Sequence, residues 1–193
     1  MNADAVTLEG RLVRLEPLDG RHAEALALAA TPELFVYHFP PTEFSAAGFS
    51  AQIQALRGRA NCCPFAIVLI ETDKAIGVTC FLDIRPEHRG LEIGFTWIAK
   101  SLHGSLVNPE AKYLLLRHAF EELGALRVQL KMDARNAQSQ RAVAKLGAVR
   151  EGVLRKHMIT PDGHLRDTVM YSVVDDDWPR VRELLEKRLG YVP

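Results

Sequence analysis

The segment from residue 92 to 147 constrains this chain most, because its punctuation fixes an order of strand, loop, helix, strand and helix. Asn108-Pro109-Glu110 reads as a helix cap, a first helical residue whose missing N–H is no loss, and an acid favoured by the helix dipole. Gly124 closes that helix about four turns later, which predicts a helix over 109–123. Ahead of it, Ile93, Phe95, Thr96, Trp97 and Ile98 are β-branched or aromatic and predict a strand that starts at Glu92 and runs straight into the loop. A strand, a short glycine-bearing loop and a capped helix converge free N–H groups and the positive helix end on one point, which suits an anion. An ordinary connecting loop carries the same glycine, so this feature alone leaves both readings open.

The flanking sequence places that segment in a mixed fold. Arg11-Leu-Val-Arg-Leu15 alternates within a first strand over 6–18 that Pro17 ends. Asp19 caps a helix of 20–30 with Ala23, Leu26, Ala27 and Ala30 on one side, and Thr31-Pro32-Glu33 starts a short turn. Phe35, Tyr37, His38 and Phe39 precede Pro40-Pro41 and form either a core plug or one wall of a pocket. Ser45 caps a helix over 46–58 whose apolar face is Phe49, Ile53 and Leu56. The apolar run 65–70 reads as a central strand with residues 75–83 as its partner, so an antiparallel meander precedes the first long helix. That pattern is α+β, not a doubly wound sheet. After a strand at 127–132, a second capped helix runs from Asn136 to Gly147. Strands at 149–159 and 165–173 are joined by Thr160-Pro-Asp-Gly-His164, and a last helix follows Asp177 with Leu184, Leu185 and Leu189 on its apolar side.

With 193 residues and no visible linker or repeat, a single domain over 1–193 is expected. Lys plus Arg equals Asp plus Glu at 24 each, so no basic excess holds nucleic acid or an anionic membrane. Cys62, Cys63 and Cys80 are odd in number and lack ligand spacing, which argues for reduced thiols and against disulfides or a metal. The first residues lack a basic stretch followed by an apolar core, and no run of ~18 apolar residues occurs, so a cytoplasmic protein is expected.

Glu92-Ile-Gly-x-x-Trp97-Ile98, the loop from His103 to Asn108 followed by Glu110-Ala-Lys112, Asn136-x-x-Ser139, Lys145-Leu-Gly147 and Glu151-Gly-x-Leu-Arg155 occur in that order. The set resembles the GNAT superfamily of acyl-CoA-dependent N-acyltransferases, and within it the ribosomal-protein N-terminal (alanine/serine) acetyltransferases. The match runs from about residue 8 to 178. The resemblance implies a mixed, mostly antiparallel central sheet of about seven strands flanked by helices. It puts the acyl-CoA site where the fourth strand meets the motif helix. One departure stands out. The family's phosphate loop carries a glycine where this chain has Leu106, which is tolerable on right-handed backbone and strained by about 1 kcal/mol at positive φ.

Transfer from a thioester to an amine needs a dock for the donor, a neutral nucleophile, oxyanion stabilisation and a proton for the thiolate. The dock is expected from the backbone N–H groups of His103, Gly104, Ser105, Leu106, Val107 and Asn108. Lys112, Arg141 and Lys100 either add charge near the phosphates or are solvated surface residues. A bulge around Trp97-Ile98, as in similar proteins, would free the amides of Ile98 and Ala99 for the pantetheine arm and the thioester carbonyl. Glu92 is the candidate base, or else a polar residue on a solvent face, with His88 and Asp83 in reserve. The tyrosine that many such enzymes carry on the helix holding Ser139 is absent from 137–146. Ser139 is then either the thiolate's proton donor or a residue satisfying the helix end, and Asn136 both caps and contacts the pantetheine.

The resulting expectation is an acetyl-CoA-dependent N-acetyltransferase. It needs no metal and acts on a protein N-terminal α-amine or small amine in a ternary complex. A non-catalytic acyl-CoA sensor and a bulkier donor such as succinyl-CoA are the alternatives, and homodimerisation is left open.

Overall fold

The run Phe65-Ala-Ile-Val-Leu69 has no polar alternation, and such strands need cover on both faces. The computed structural model provides it with one sheet between two sets of helices. It describes residue 4 and residues 6–191; Met1, Asn2, Ala3 and Ala5, part of the stretch read for a leader, lie outside the described residues. The strands are β1 (Leu8–Glu9), β2 (Val13–Pro17), β3 (Cys63–Leu69), β4 (Lys74–Arg85), β5 (Gly90–Ile98), β6 (Arg127–Asp133), β7 (Val149–Ile159) and β8 (Leu165–Val174). Among the described residues they form one eight-stranded sheet in the order β1-β2-β3-β4-β5-β6-β8-β7. Every neighbour pair is antiparallel except β5 and β6.

The helices are α1 (Ala23–Ala29), α2 (Ala46–Arg57), α3 (Val107–Arg117), α4 (Ala137–Ala144) and α5 (Trp178–Leu189). On one face, called upper here, Leu26, Phe49, Ile53 and Leu56 of α1 and α2 pack on Val68, Val78, Leu82 and Trp97. On the lower face, Leu114, Leu115, Val181 and Leu185 of α3 and α5 belong to a core that extends from Leu15 and Phe65 to Leu130 and Val173. Among the described residues no helix is long and apolar enough to cross a membrane.

Three local expectations are corrected. The first strand is split into a hairpin, which raises the strand count from about seven to eight. Its turn is held by Glu110: the buried carboxylate accepts from the amides of Arg11 (3.0 Å), Leu12 (2.7 Å) and Val13 (2.7 Å), and from the Tyr191 hydroxyl (2.5 Å). The residue read as a dipole acid therefore ties the hairpin and the C-terminal end to α3. Second, α3 starts two residues early, with Leu106 as a cap that makes no side-chain bond and Glu110 N donating to Leu106 O at 2.9 Å. Pro109 is tolerated there because an N–H in the first turn has no helical acceptor. Third, α3 passes into a π-turn, His118–Glu122, before Gly124 at φ +63°.

The parallel pair creates the opening. β5 and β6 pair only at Gly90↔Arg127, Leu91↔Val128 and Glu92↔Gln129, although β5 runs on to Ile98 and β6 to Asp133. Beyond Glu92 the two strands diverge, leaving a gap whose two edges lead into the starts of α3 and α4.

Candidate active site

The β5 edge of the gap is shaped by a bulge. Between the pairs Val78↔Trp97 and Cys80↔Gly94, Thr79 alone faces both Phe95 and Thr96, and Phe95 is left-handed at φ +49°. The bulge thus sits two residues before the expected Trp97-Ile98. Of the two amides expected to be freed, Ala99 N is not, since it donates to Ile76 O at 2.8 Å. Antiparallel partners exchange both bonds at alternate positions, so Ile98 between them turns its N–H and C=O away from β4 into the gap. Its carbonyl accepts from His103 Nε2 at 3.0 Å, and its N–H faces the opening. Trp97 pairs with Val78 and its ring packs against Phe35 and Phe49, so the side chain supports the helices and does not line the gap.

The loop into α3 offers fewer amides than the six expected. His103 N and Ser105 N donate within the loop, to Lys100 O at 3.1 Å and Leu102 O at 3.3 Å, and Val107 N reaches Ser105 Oγ at 3.3 Å. The amides of Gly104, Leu106 and Asn108 have no partner among the described residues. Gly104 is at φ +82°, which glycine adopts without strain. Leu106 is right-handed at φ −81°, ψ −2°, and its side chain is exposed, so the departure from glycine adds no backbone strain. His103 links the two helix starts, with Gln138 Nε2 3.5 Å from its Nδ1. Because Ile98 O can only accept, the ring proton belongs on Nε2.

Lys112 does not reach this loop. It points into the lower face beneath the bulge, where Nζ donates to Thr96 Oγ1 at 2.6 Å and Thr79 Oγ1 at 3.4 Å. Burial pushes its pKa down to about 7, partly offset by Cys80. A lysine one turn into a helix is well placed for a phosphate by spacing alone, but here its rotation about the axis turns it into the sheet. Arg141 is exposed on α4. On the β6 side, Asn136 Oδ1 accepts from Ser139 N at 3.0 Å, capping α4 as expected, and Ser139 Oγ is left without a partner among the described residues.

A charged wall lies on the upper face of β6 and β8, beyond the reach of α1 and α2. Glu92, 1% exposed, pairs with Lys131 Nζ at 2.9 Å and accepts from Gln129 at 3.4 Å. Asp133 accepts from Arg135 Nε at 3.0 Å, Arg135 NH2 at 2.8 Å and the Arg135 amide at 2.8 Å. Burial pushes the Asp133 carboxyl up, but the Arg135 bonds outweigh it and hold it below the usual range. Arg166 completes the wall from β8. Over it hangs the aromatic segment: Arg135 lies 5.6 Å from the Tyr37 ring centroid, and His38 is pushed down to about 4 by burial and then by Arg166 and Lys112. Of the reserve bases, Asp83 accepts from Gln129 at 3.2 Å beside Glu92, whereas His88 is exposed in the turn before β5. A cavity of about 270 Å³ between Arg59, Asn61, Asp83, Glu92 and Lys131 opens at this end.

Lys131, Asp133, Arg135 and Arg166 escaped the sequence reading. For Lys131 and Asp133 the signal is the strict alternation of Arg127-Val-Gln-Leu-Lys-Met-Asp133, which puts four polar residues on one face; Arg135 and Arg166 lie outside that run.

Residues 12–149 match the model of the acetyltransferase (GNAT) domain. The chain belongs to the GNAT acetyltransferase family. It is 30% identical over 124 residues to the N-acetyltransferase p20 of Bacillus licheniformis, itself uncharacterised, covering 64% of this chain and 67% of that one. A candidate acetyltransferase of T. thermophilus superposes with a TM-score of 0.91 at 45% identity, covering 98% of this chain and 100% of that one. At the level of fold alone, RimJ of Mycobacterium smegmatis, solved in complex with CoA-disulfide, gives a TM-score of 0.79 at 21% identity over 96% and 94% of the two chains. The GNAT resemblance of the motifs and the α+β sheet they imply therefore stand, and the chain is an N-acyltransferase by family.

Proposed function

We propose that this GNAT enzyme transfers acetyl from acetyl-CoA to a peptide N-terminus or another small α-amine by direct attack in a ternary complex, within a single domain. The observation that carries the reading is the gap past Glu92↔Gln129. At its mouth stand three open amides, along its edge the free Ile98 N–H, and across it a charged wall. A diphosphate fits the amides of Gly104, Leu106 and Asn108 at the start of α3, where the helix dipole adds to them. RimJ, which shares this fold, was solved in complex with CoA-disulfide, and this supports a CoA-type donor.

The donor supplies an activated thioester carbonyl; the chain supplies position and protons. The Ile98 N–H holds the pantetheine arm against β5, with Asn136 on the opposite edge. The Ser139 hydroxyl protonates the departing thiolate, its backbone already secured by Asn136. Glu92 stands three residues before the bulge, about 10 Å of strand, so it accepts the amine's proton through water and not by contact. His38 is a poor alternative, because burial and then Arg166 and Lys112 make it a weaker base than an ordinary histidine. An α-amine has pKa ~7.7–8.0 against ~10.4 for lysine, so the modest bases here suit the former.

Thermal melting with CoA, acetyl-CoA and succinyl-CoA tests the donor. A ligand present at ~100 Kd stabilises by ~2.7 kcal/mol, and no shift with any of them would sink the reading. Acetylation of a peptide with a free N-terminus and an internal lysine, located by mass spectrometry, tests the acceptor. Preferential lysine modification would overturn that half.

A further inference from the structure

Arg166 is 8% exposed, and among the described residues its guanidinium makes no hydrogen bond; its Nε is buried with no partner at all. Burying an unpaired charged donor is expensive, so a site that keeps one is built for something that arrives. The two carboxylates nearby attract its charge but make no hydrogen bond to it. Both oxygens of Asp133 are taken by Arg135, and Glu92 is paired with Lys131. Lys131, Arg135 and Arg166 face Glu92 and Asp133, with Asp83 at the far end beside Glu92 and Lys112 behind the sheet at the bulge.

Its height in the gap follows from register. Glu92↔Gln129 in the parallel pair puts Asp133 level with residue 96, and Asp133 pairs with Thr168 of β8. Arg166 lies two residues earlier on β8, on the same face as Thr168, and is therefore level with Ile98 across the opening. That is the level of the outward Ile98 N–H, two residues past the bulge at Phe95 and Thr96. His38, whose environment includes both Arg166 and Lys112, closes the same space from above.

We infer that Arg166 reads a carboxylate on the acceptor, within a few bonds of the amine that is acetylated. This rests on the transferase reading above and narrows its substrate class. The planar fork of a guanidinium matches a carboxylate in two parallel bonds, and a neutral amide in its place leaves the buried charge unpaired. The carboxylate comes either from a free amino acid itself or from an acidic side chain at a peptide's N-terminus.

The test uses matched acceptor pairs at saturating acetyl-CoA: an α-amino acid against its amide, and a peptide amide beginning with Asp against the same peptide beginning with Asn. At least one acid member is expected to have a KM tenfold or more below its neutral partner, and the pair that shows it identifies the source. Arg166→Gln should erase that ratio by raising KM for the acid alone, and Arg166→Lys should restore part of it. Equal KM values within both wild-type pairs would overturn the inference, as would an Arg166→Gln loss shared equally by acid and neutral acceptors. Melting and CoA titration of both variants check that they fold; if the Gln variant does not, the Lys variant must still shrink the ratio. If no amine is acetylated, it is the transferase reading that fails. Calorimetric titration of the same pairs without donor then decides on Arg166, by whether the acid binds more tightly and whether the variant abolishes that.

Discussion

The two faces of the sheet put buried carboxylates to opposite uses. On the lower face Glu110 is saturated: three backbone amides and a tyrosine hydroxyl converge on it, and all of them belong to the fold. On the upper face Glu92 is equally buried but meets one lysine and one long amide contact, and close by stands an arginine whose Nε has no hydrogen-bond partner among the described residues. Complete pairing marks a group that stabilises, because every lone pair is spent on the chain. Incomplete pairing among buried charges marks a group held ready for something else.

The strongest way to break this comparison is to remove each acid. Glu110→Ala leaves three amides of the hairpin turn and one hydroxyl unsatisfied, and is expected to lower stability by roughly 4–5 kcal/mol in urea unfolding. Glu92→Gln is expected to change stability by no more than about 1 kcal/mol, since the Lys131 side chain remains partly exposed and can reach water. Its effect belongs in the rate, with the pH–rate profile moved to higher pH. Equal losses of stability would make both carboxylates structural.

Lys112 sharpens the contrast from below. Its folded pKa of about 7 lies under the unfolded value of 10.5, so between them the unfolded state binds more protons. Stability contributed at this site therefore rises with pH across that window, and the burden is greatest below about pH 7. Relative to Lys112→Met, the wild type should gain roughly 2–4 kcal/mol between pH 7 and 10, read from urea midpoints. A parallel course for the two proteins would mean that the ammonium is well solvated or paired.

These predictions rest on features of unequal visibility in the sequence. The apolar run 65–70, the Ser45, Asp19 and Asn136 caps and the glycine stops are local rules, and they place most elements to within a few residues. The Glu110 tie joins positions about a hundred residues apart, so no window of sequence contains it. Lys112 is illegible in the sequence because helical spacing gives distance along an axis but not rotation towards loop or sheet. The bulge moved because Phe95 takes a left-handed conformation that its side chain does not advertise. Charge was legible at 92, 131, 133 and 166; that three of these are nearly inaccessible depends on the loop carrying Tyr37 and His38 and on the divergence of β5 from β6.

The gap's mouth separates backbone from side-chain binding. Gly104→Asp puts a negative group and a Cβ at φ +82° beside the open amides, and should weaken CoA binding tenfold to a hundredfold in calorimetry. Lys112→Ala should leave CoA affinity within about threefold, because its ammonium is turned under the sheet. A reversed order would move the diphosphate away from residues 103–108.

The smallest expected effect is at Ser139, where stability and chemistry can be separated in one residue. Its amide is held by Asn136 Oδ1 at 3.0 Å, and that bond survives replacement of the side chain by a methyl group. Alanine is also the stronger helix former, so Ser139→Ala should shift stability by less than about 0.5 kcal/mol. The hydroxyl has no partner among the described residues, which leaves it free to give a proton to the thiolate from the edge of the gap. Turnover should then fall about fivefold to tenfold with CoA affinity unchanged, because only the departing sulfur, and not the bound donor, needs that proton. An affinity loss at constant turnover would make Ser139 a donor contact. Wild-type turnover would hand the proton to water, and the β6 edge would then contribute only the Asn136 cap.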